Sequence, residues 1–266
     1  MDVYYGTAGE LPGNNGKVQY IDFSIMQYKK ENIPLNERII FPLDVDTHEK
    51  AEEWVKRLES HINFFKVGLE LFMTGWQPVT KMITDRGHKV MCDIKMFDVP
   101  ETIKSALKLL KNNNVTFVTV HGNDSMLKAA VSEKNGVKIL SVTVLTSLGD
   151  EDMKDLGFEC SIEELVYKRA KRALDIGCDG VISSGLEVPK LRKDLGDKFI
   201  VVTPGIRPGG NIEDDQVRIV TPKDAIKSGA DHVVIGRPIR NANDPIKVVE
   251  SIQKEIQEGL NEIALV

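Results

Sequence analysis

The sequence predicts an α/β fold, a (β/α)8 barrel behind an N-terminal extension, from three observations. From about residue 38 onward, short apolar runs of strand length alternate eight times with amphipathic stretches of helical period. The eight pairs fill about 225 residues, the usual size of such a barrel. The first strand is followed by Asp44-Val45-Asp46 rather than the Gly-rich turn that normally opens a doubly wound open sheet, the alternative architecture.

Strand one is Ile39 to Leu43, whose Ile39, Phe41 and Leu43 form a helix-facing row, and the first helix runs near Glu49 to Leu58. Strand two, Phe64 to Val67, leads to a helix near Gly75 to Arg86. In strand three, Val90 to Ile94, the apolar Val90, Cys92 and Ile94 alternate with Met91, Asp93 and Lys95, which therefore share the opposite face and point the same way. A helix over Pro100 to Lys111 follows. Phe117 to Val120 pairs with Ser125 to Lys134, and Ile139 to Leu145 with Ile162 to Ile176. Gly180 to Ser183 pairs with Glu187 to Leu195, Phe199 to Thr203 with Pro222 to Ser228, and His232 to Ile235 with Pro245 to Glu258. Residues 37–266 are expected to form this catalytic barrel. Residues 1–36, with a flexible Gly13-Asn14-Asn15-Gly16 turn and a short helix or strand in Tyr20 to Lys30, stand outside the count and have no assigned role.

Composition narrows the function. In 266 residues, 41% are hydrophobic and 28% charged, enough for one large core. The net charge of −5, with acids and bases interleaved, leaves no basic stripe for an extended nucleic acid. Cys92, Cys160 and Cys178 are too few and too scattered for a disulfide framework, and no C-x-x-C pair suggests zinc. No run reaches the roughly 18 apolar residues of a membrane span, and the N-terminus lacks a basic start followed by an apolar stretch. A cytoplasmic protein in a reducing compartment is expected.

The chemistry concentrates at strand ends, where barrels of this kind place their active sites. Asp93, Lys95 and Asp98 set two carboxylates around one ammonium. Charges leave water only at a cost of several kcal/mol unless they are paired, so the array is either a structural ion network or a reaction centre. Phe64-Phe65-Lys66-Val67-Gly68 buries a second lysine, and Asp44 and Asp93 on flanking strands could pair with it. Asp44 could instead serve only as a helix N-cap. Late in the chain, Thr203-Pro204-Gly205-Ile206-Arg207 closes strand seven and Ile235-Gly236-Arg237-Pro238-Ile239 closes strand eight. Glycine amides and a forked guanidinium suit a phosphate, which such barrels hold in these two loops. Taken singly, each motif could be no more than a turn. Pro208 to Asp215, with Gly209-Gly210, suits a lid, and Gln216 could add an amide donor.

These residues, together with Leu43-Asp44 and Asp215-Gln216-Val217-Arg218, resemble the orotidine 5′-monophosphate decarboxylase family, in unbroken order from about Glu37 to Glu258. The resemblance implies conversion of orotidine 5′-monophosphate to uridine 5′-monophosphate without metal or cofactor. It implies that Lys95 stabilises the carbanion at C6 and then protonates it, with Asp93 beside the substrate carboxylate. Lys66 and Asp44 would complete the charge network and bind the ribose. Asp98 and Thr102 would reach into the partner's site of a homodimer. Gln216 and Arg237, with Gly236 and Arg207, would hold the phosphate, and Thr146 and Ser147 would address the pyrimidine. His121 and Ser184 also end strands and are expected only to line the site.

Three other readings compete. Sugar-phosphate relatives such as 3-keto-L-gulonate 6-phosphate decarboxylase and hexulose 6-phosphate synthase share D-x-K-x-x-D but use magnesium, and have an acid where this chain has Lys66, which cannot ligate that ion. A Schiff-base aldolase wants a lysine of depressed pKa, and flanking aspartates push the other way. A nucleotide-binding protein without activity would need the phosphate grip but not Lys95 between two acids.

Overall fold

The computed structural model of the chain describes residues 33–110, 113–210 and 219–264. In chain order the elements are α1 (Leu35–Arg38), β1 (Ile39–Pro42), α2 (His48–Leu58), β2 (Phe64–Gly68), α3 (Leu69–Asp85), β3 (Lys89–Met96) and α4 (Pro100–Leu110). Next come β4 (Phe117–His121), α5 (Asp124–Ser132), β5 (Lys138–Val142), α6 (Asp150–Asp155), α7 (Ile162–Ile176), β6 (Gly180–Ile182) and α8 (Val188–Leu195). The chain closes with β7 (Ile200–Thr203), α9 (Pro222–Ser228), β8 (His232–Val234), α10 (Arg237–Arg240) and α11 (Pro245–Ala264). The strands pair in parallel in sequence order, and β8 returns to β1, so the sheet is a closed barrel. Gln216, the remainder of the expected lid beyond Gly210, and the Tyr20 to Lys30 element lie outside the described residues.

Two apolar layers follow from the period of two along each strand. Ile39, Phe41, Val90 and Cys92 point outward against the helices, while Ile40, Phe64, Met91, Phe117 and Val202 fill the barrel. Each fully buried side chain of this size contributes about 1.5–3 kcal/mol. Local chemistry fixes the helix ends. Ser161 caps α7 by accepting from the Glu164 N–H, and Gly177 ends it in the left-handed region at φ 104°. Thr221 caps α9 with Pro222 in its first turn, and Gly229 ends it at φ 113°.

The structure departs from expectation in four places. Helix α3 starts at Leu69 instead of Gly75, because Gly75 is an internal kink at φ 108° that only glycine accepts cheaply. Strand β5 stops at Val142, so that Val144 and Leu145 turn into the mouth of the barrel. Helices α1, α6 and α10 are too short to show a helical period in sequence. Strand β3 runs on to Met96 but is irregular. Its pairing with β4 passes from Cys92–Val118 to Met96–Val120, and Lys95 within the irregularity adopts φ 48°. Among the described residues no helix is long and apolar enough to cross a membrane.

Candidate active site

At the C-terminal ends of the strands a cavity of roughly 510 Å³ opens, and a row of charges crosses its wall from β1 to β3. Lys66 Nζ donates to Asp44 Oδ1 at 3.1 Å and lies 3.4 Å from Asp93 Oδ2. Asp93 Oδ1 in turn accepts from Lys95 Nζ at 3.0 Å. Acid and base thus alternate as Asp44, Lys66, Asp93, Lys95. The inner pair is buried, with side chains 11% and 12% exposed, whereas Lys95 and Asp44 are 40% and 43% exposed and face the cavity. Removing one member of a buried pair would leave its partner uncompensated at about 3–5 kcal/mol, so Lys66 and Asp93 hold each other in place.

Burial alone would depress the Lys66 ammonium, but the Asp93 and Asp44 carboxylates outweigh it and raise its pKa above the ordinary lysine value. Burial likewise opposes ionisation of Asp93, yet Lys66, Lys95 and a hydrogen bond from Thr119 hold its carboxyl below the usual range. Both groups stay charged at neutral pH. Cys92, one residue away, points to the helices, and burial, with Asp93 nearby, pushes its thiol up to about 12, leaving it protonated and unreactive.

The turn at Lys95 is built into the backbone. Its N–H donates to Thr119 Oγ1 at 2.9 Å, and the same hydroxyl donates to Asp93 Oδ1 at 2.9 Å. A buried threonine on β4 therefore secures both the left-handed residue and its carboxylate partner. Such a conformation costs a non-glycine residue on the order of 1–3 kcal/mol and persists where its surroundings enforce it. Asp93 and Lys95 share the cavity face, as the alternation read from the sequence expects, with Cys92, Ile94 and Met96 on the helix-facing side; the irregularity adds the left-handed turn at Lys95. Gly68 matters for a different reason: a Cβ there would lie 2.9 Å from Lys66 Nζ and 3.2 Å from Asp44 Oδ1.

Asp44, Lys66, Asp93, Lys95, Thr146, Ser147, Arg207, Gly236 and Arg237 all line this cavity. Arg207 is buried, and its Nη1 donates to the Ile206 carbonyl at 2.9 Å. The structure does not bring Asp98 and Thr102 to this row. Both are exposed at the start of α4, and Asp98 Oδ1 accepts the Val99 N–H at 2.7 Å. Within one chain Lys95 accordingly has Asp93, not two flanking acids, as its carboxylate partner. His121 and Ser184 do not line the cavity either: His121 packs edge-on against Phe97 at 5.1 Å, and buried Ser184 Oγ accepts the Leu186 N–H. Sequence reasoning missed Thr119 and Arg240. Thr119 was readable as the inward partner of Asp93 by the period of two along β4, whereas Arg240 lies on α10, too short to show a helical period in sequence.

A family model described as orotidine 5′-phosphate decarboxylase / HUMPS family matches residues 37–252. The orotidine 5′-phosphate decarboxylase of Methylococcus capsulatus is 49% identical over 228 residues, 85% of this chain and 94% of that protein. The one from Nitrobacter winogradskyi is 42% identical over 226 residues, covering 84% and 94%. Among solved structures, that of orotidine 5′-phosphate decarboxylase from Lactobacillus acidophilus superposes with a TM-score of 0.73 at 37% identity, over 83% of this chain and 99% of that one. An uncharacterized conserved protein from Geobacillus kaustophilus gives 0.71 at 28% identity, over 82% and 99%. Sequence likeness of this extent, on a barrel of the same shape, makes the chain a member of the orotidine 5′-phosphate decarboxylase / HUMPS family.

Proposed function

We propose that this chain decarboxylates orotidine 5′-monophosphate to uridine 5′-monophosphate, a step of pyrimidine nucleotide synthesis, with residues 37–266 as the catalytic unit. The observation that carries the reading is Lys95 Nζ, held 3.0 Å from Asp93 at the edge of a cavity that also presents Arg207 and Arg237. When the bond from C6 to the carboxylate breaks, its electron pair stays in the plane of the ring, where no carbonyl can delocalise it. A fixed ammonium beside C6 is the direct electrostatic remedy, and Lys95 then transfers a proton to that carbon. Asp93 orients Lys95 and lies beside the departing carboxylate. Lys66 and Asp44 continue the row toward the ribose hydroxyls, Thr146 and Ser147 address the pyrimidine, and Arg237, Gly236 and Arg207 take the phosphate. Gln216 is assigned to the phosphate by family resemblance alone.

The same reading uses neither metal nor cofactor. Lys66 occupies the space between Asp44 and Asp93 where a magnesium site would need a further oxygen donor. It also takes the protein to be a cytoplasmic homodimer. Phe97 and Val99 flank Asp98 as exposed apolar side chains, and Leu69, Met73 and Leu109 are exposed as well. Covering that surface with a second copy would carry Asp98 and Thr102 toward the partner's cavity. The deciding assay follows absorbance loss from orotidine 5′-monophosphate in EDTA: turnover is expected, and turnover of a sugar phosphate only with magnesium would overturn the reading. Mixing Asp98→Ala and Lys95→Ala chains should restore activity through one intact site per heterodimer, and no recovery would refute the donated aspartate.

A further inference from the structure

Arg240 has no part in the roles assigned so far, yet it lines the catalytic cavity and touches the charge row from behind. Its Nη1 donates to the backbone carbonyl of Asp44 at 2.5 Å, across 196 residues of sequence. Asp44 follows the end of β1, beyond the last ladder pair of that strand, Pro42 with Lys66. The Leu43 N–H still donates to the Lys66 carbonyl at 2.9 Å, but among the described residues neither the N–H nor the carbonyl of Asp44 itself takes part in a backbone–backbone hydrogen bond. The Asp44 carboxylate is 43% exposed and still must meet Lys66 Nζ at 3.1 Å, so something has to fix the main chain that carries it. Close packing brings α10 to that place, because Gly236, its N-cap, sits where a Cβ would come within 2.6 Å of the Pro42 side chain. From there Arg237 and Arg240, three apart on one turn, project from neighbouring positions. Both border the cavity, and Arg240 also grips the main chain just beyond β1.

We propose that Arg240 is a positioning residue for the decarboxylation: by clamping the Asp44 carbonyl it holds Asp44 against Lys66, and so keeps the whole row from Asp44 to Lys95 in register. The inference rests on the proposed reading of that row. The test is a kinetic comparison of wild type, Arg240→Met, which keeps the stem but loses the donors, and Arg240→Lys, which keeps one cationic donor. Each is assayed on orotidine 5′-monophosphate and on orotidine, which lacks the phosphate. Arg240→Met is expected to lower kcat/KM about tenfold on both substrates alike, mainly through kcat on the nucleotide, and Arg240→Lys to recover most of it. A loss confined to the nucleotide would make Arg240 a phosphate contact and overturn the proposal, as would unchanged kcat or failure of lysine to rescue. Should Arg240→Met not fold, as judged by its melting transition, Arg240→Gln is read by the same criteria. Wild-type enzyme inactive on the nucleotide would sink the assigned function instead, so the two failures are distinguishable.

Discussion

The two ends of the barrel both bury charge, but they bury it differently. At the N-terminal floor Asp231 Oδ2 takes the Val201 N–H at 2.8 Å and Arg192 Nη2 at 2.8 Å, and Arg192 also donates to the carbonyls of Gly229 and Phe199. Arg38, fully buried, reaches the Asp231 carbonyl, and His232 Nδ1 meets the Glu37 carbonyl at 2.8 Å. Most of these bonds end on main chain. At the mouth the charges meet mainly one another, face a cavity, and include one residue in a strained conformation. A charge tied to backbone can only hold its neighbours; a charge tied to another charge, with one side open, can serve a ligand that arrives. Burial alone does not separate the structural network from the one proposed to react, and the identity of the partners does.

Four experiments would break or sharpen that contrast. Lys95→Ala should cost at least about 10³-fold in kcat while uridine 5′-monophosphate affinity by calorimetry changes little; retention of more than about a tenth of the activity would contradict its role. Asp231→Ala should do the opposite. It strands Arg192 without its acid, so denaturant unfolding should show a loss of about 3–5 kcal/mol, with kcat of the folded enzyme within about twofold of wild type. A large kcat effect there would erase the distinction between the ends.

The third experiment uses pH. Burial lowers the His232 imidazole to about 4, below its unfolded value near 6.5. Between those values the unfolded chain binds a proton that the folded chain refuses, so stability should fall by ~3 kcal/mol as pH drops through that window. His232→Gln should flatten this limb of a melting-temperature profile, and parallel profiles would show that the floor does not sense acid. The mouth titrates outside that window. Asp93, with its lowered pKa, gives up its contribution only as pH falls below about 4, and Lys66, with its raised pKa, only as pH climbs above about 10. The smallest expected effect is that of Arg237→Ala, about ten- to a hundredfold in kcat/KM for the nucleotide and little for orotidine. Equal losses on both would remove it from the phosphate.

Much of this was legible in the chain. The eight strands appear wherever apolar runs are bounded by polar turns, and α7 and α9 match to the residue because Ser161, Gly177, Thr221 and Gly229 mark their ends chemically. Asp44, Lys66, Asp93 and Lys95 stood out because charge at strand ends is costly. What stayed hidden depends on contacts distant in sequence. No glycine announces the left-handed turn at Lys95, since Thr119, on the next strand, enforces it. Arg240 acts on a carbonyl, which leaves no trace in sequence pattern. Asp98 sits next to the array in sequence, yet the turn after Met96 carries it to the surface.

The bare hydrogen at Gly68 has a consequence for how this barrel could change. Alanine would suit its backbone, but the added methyl would displace the Lys66 ammonium and crowd Asp44. A side chain at position 68 would therefore be accommodated only by moving the ammonium relative to its two carboxylates, so the spacing of the row depends on an atom that is not there.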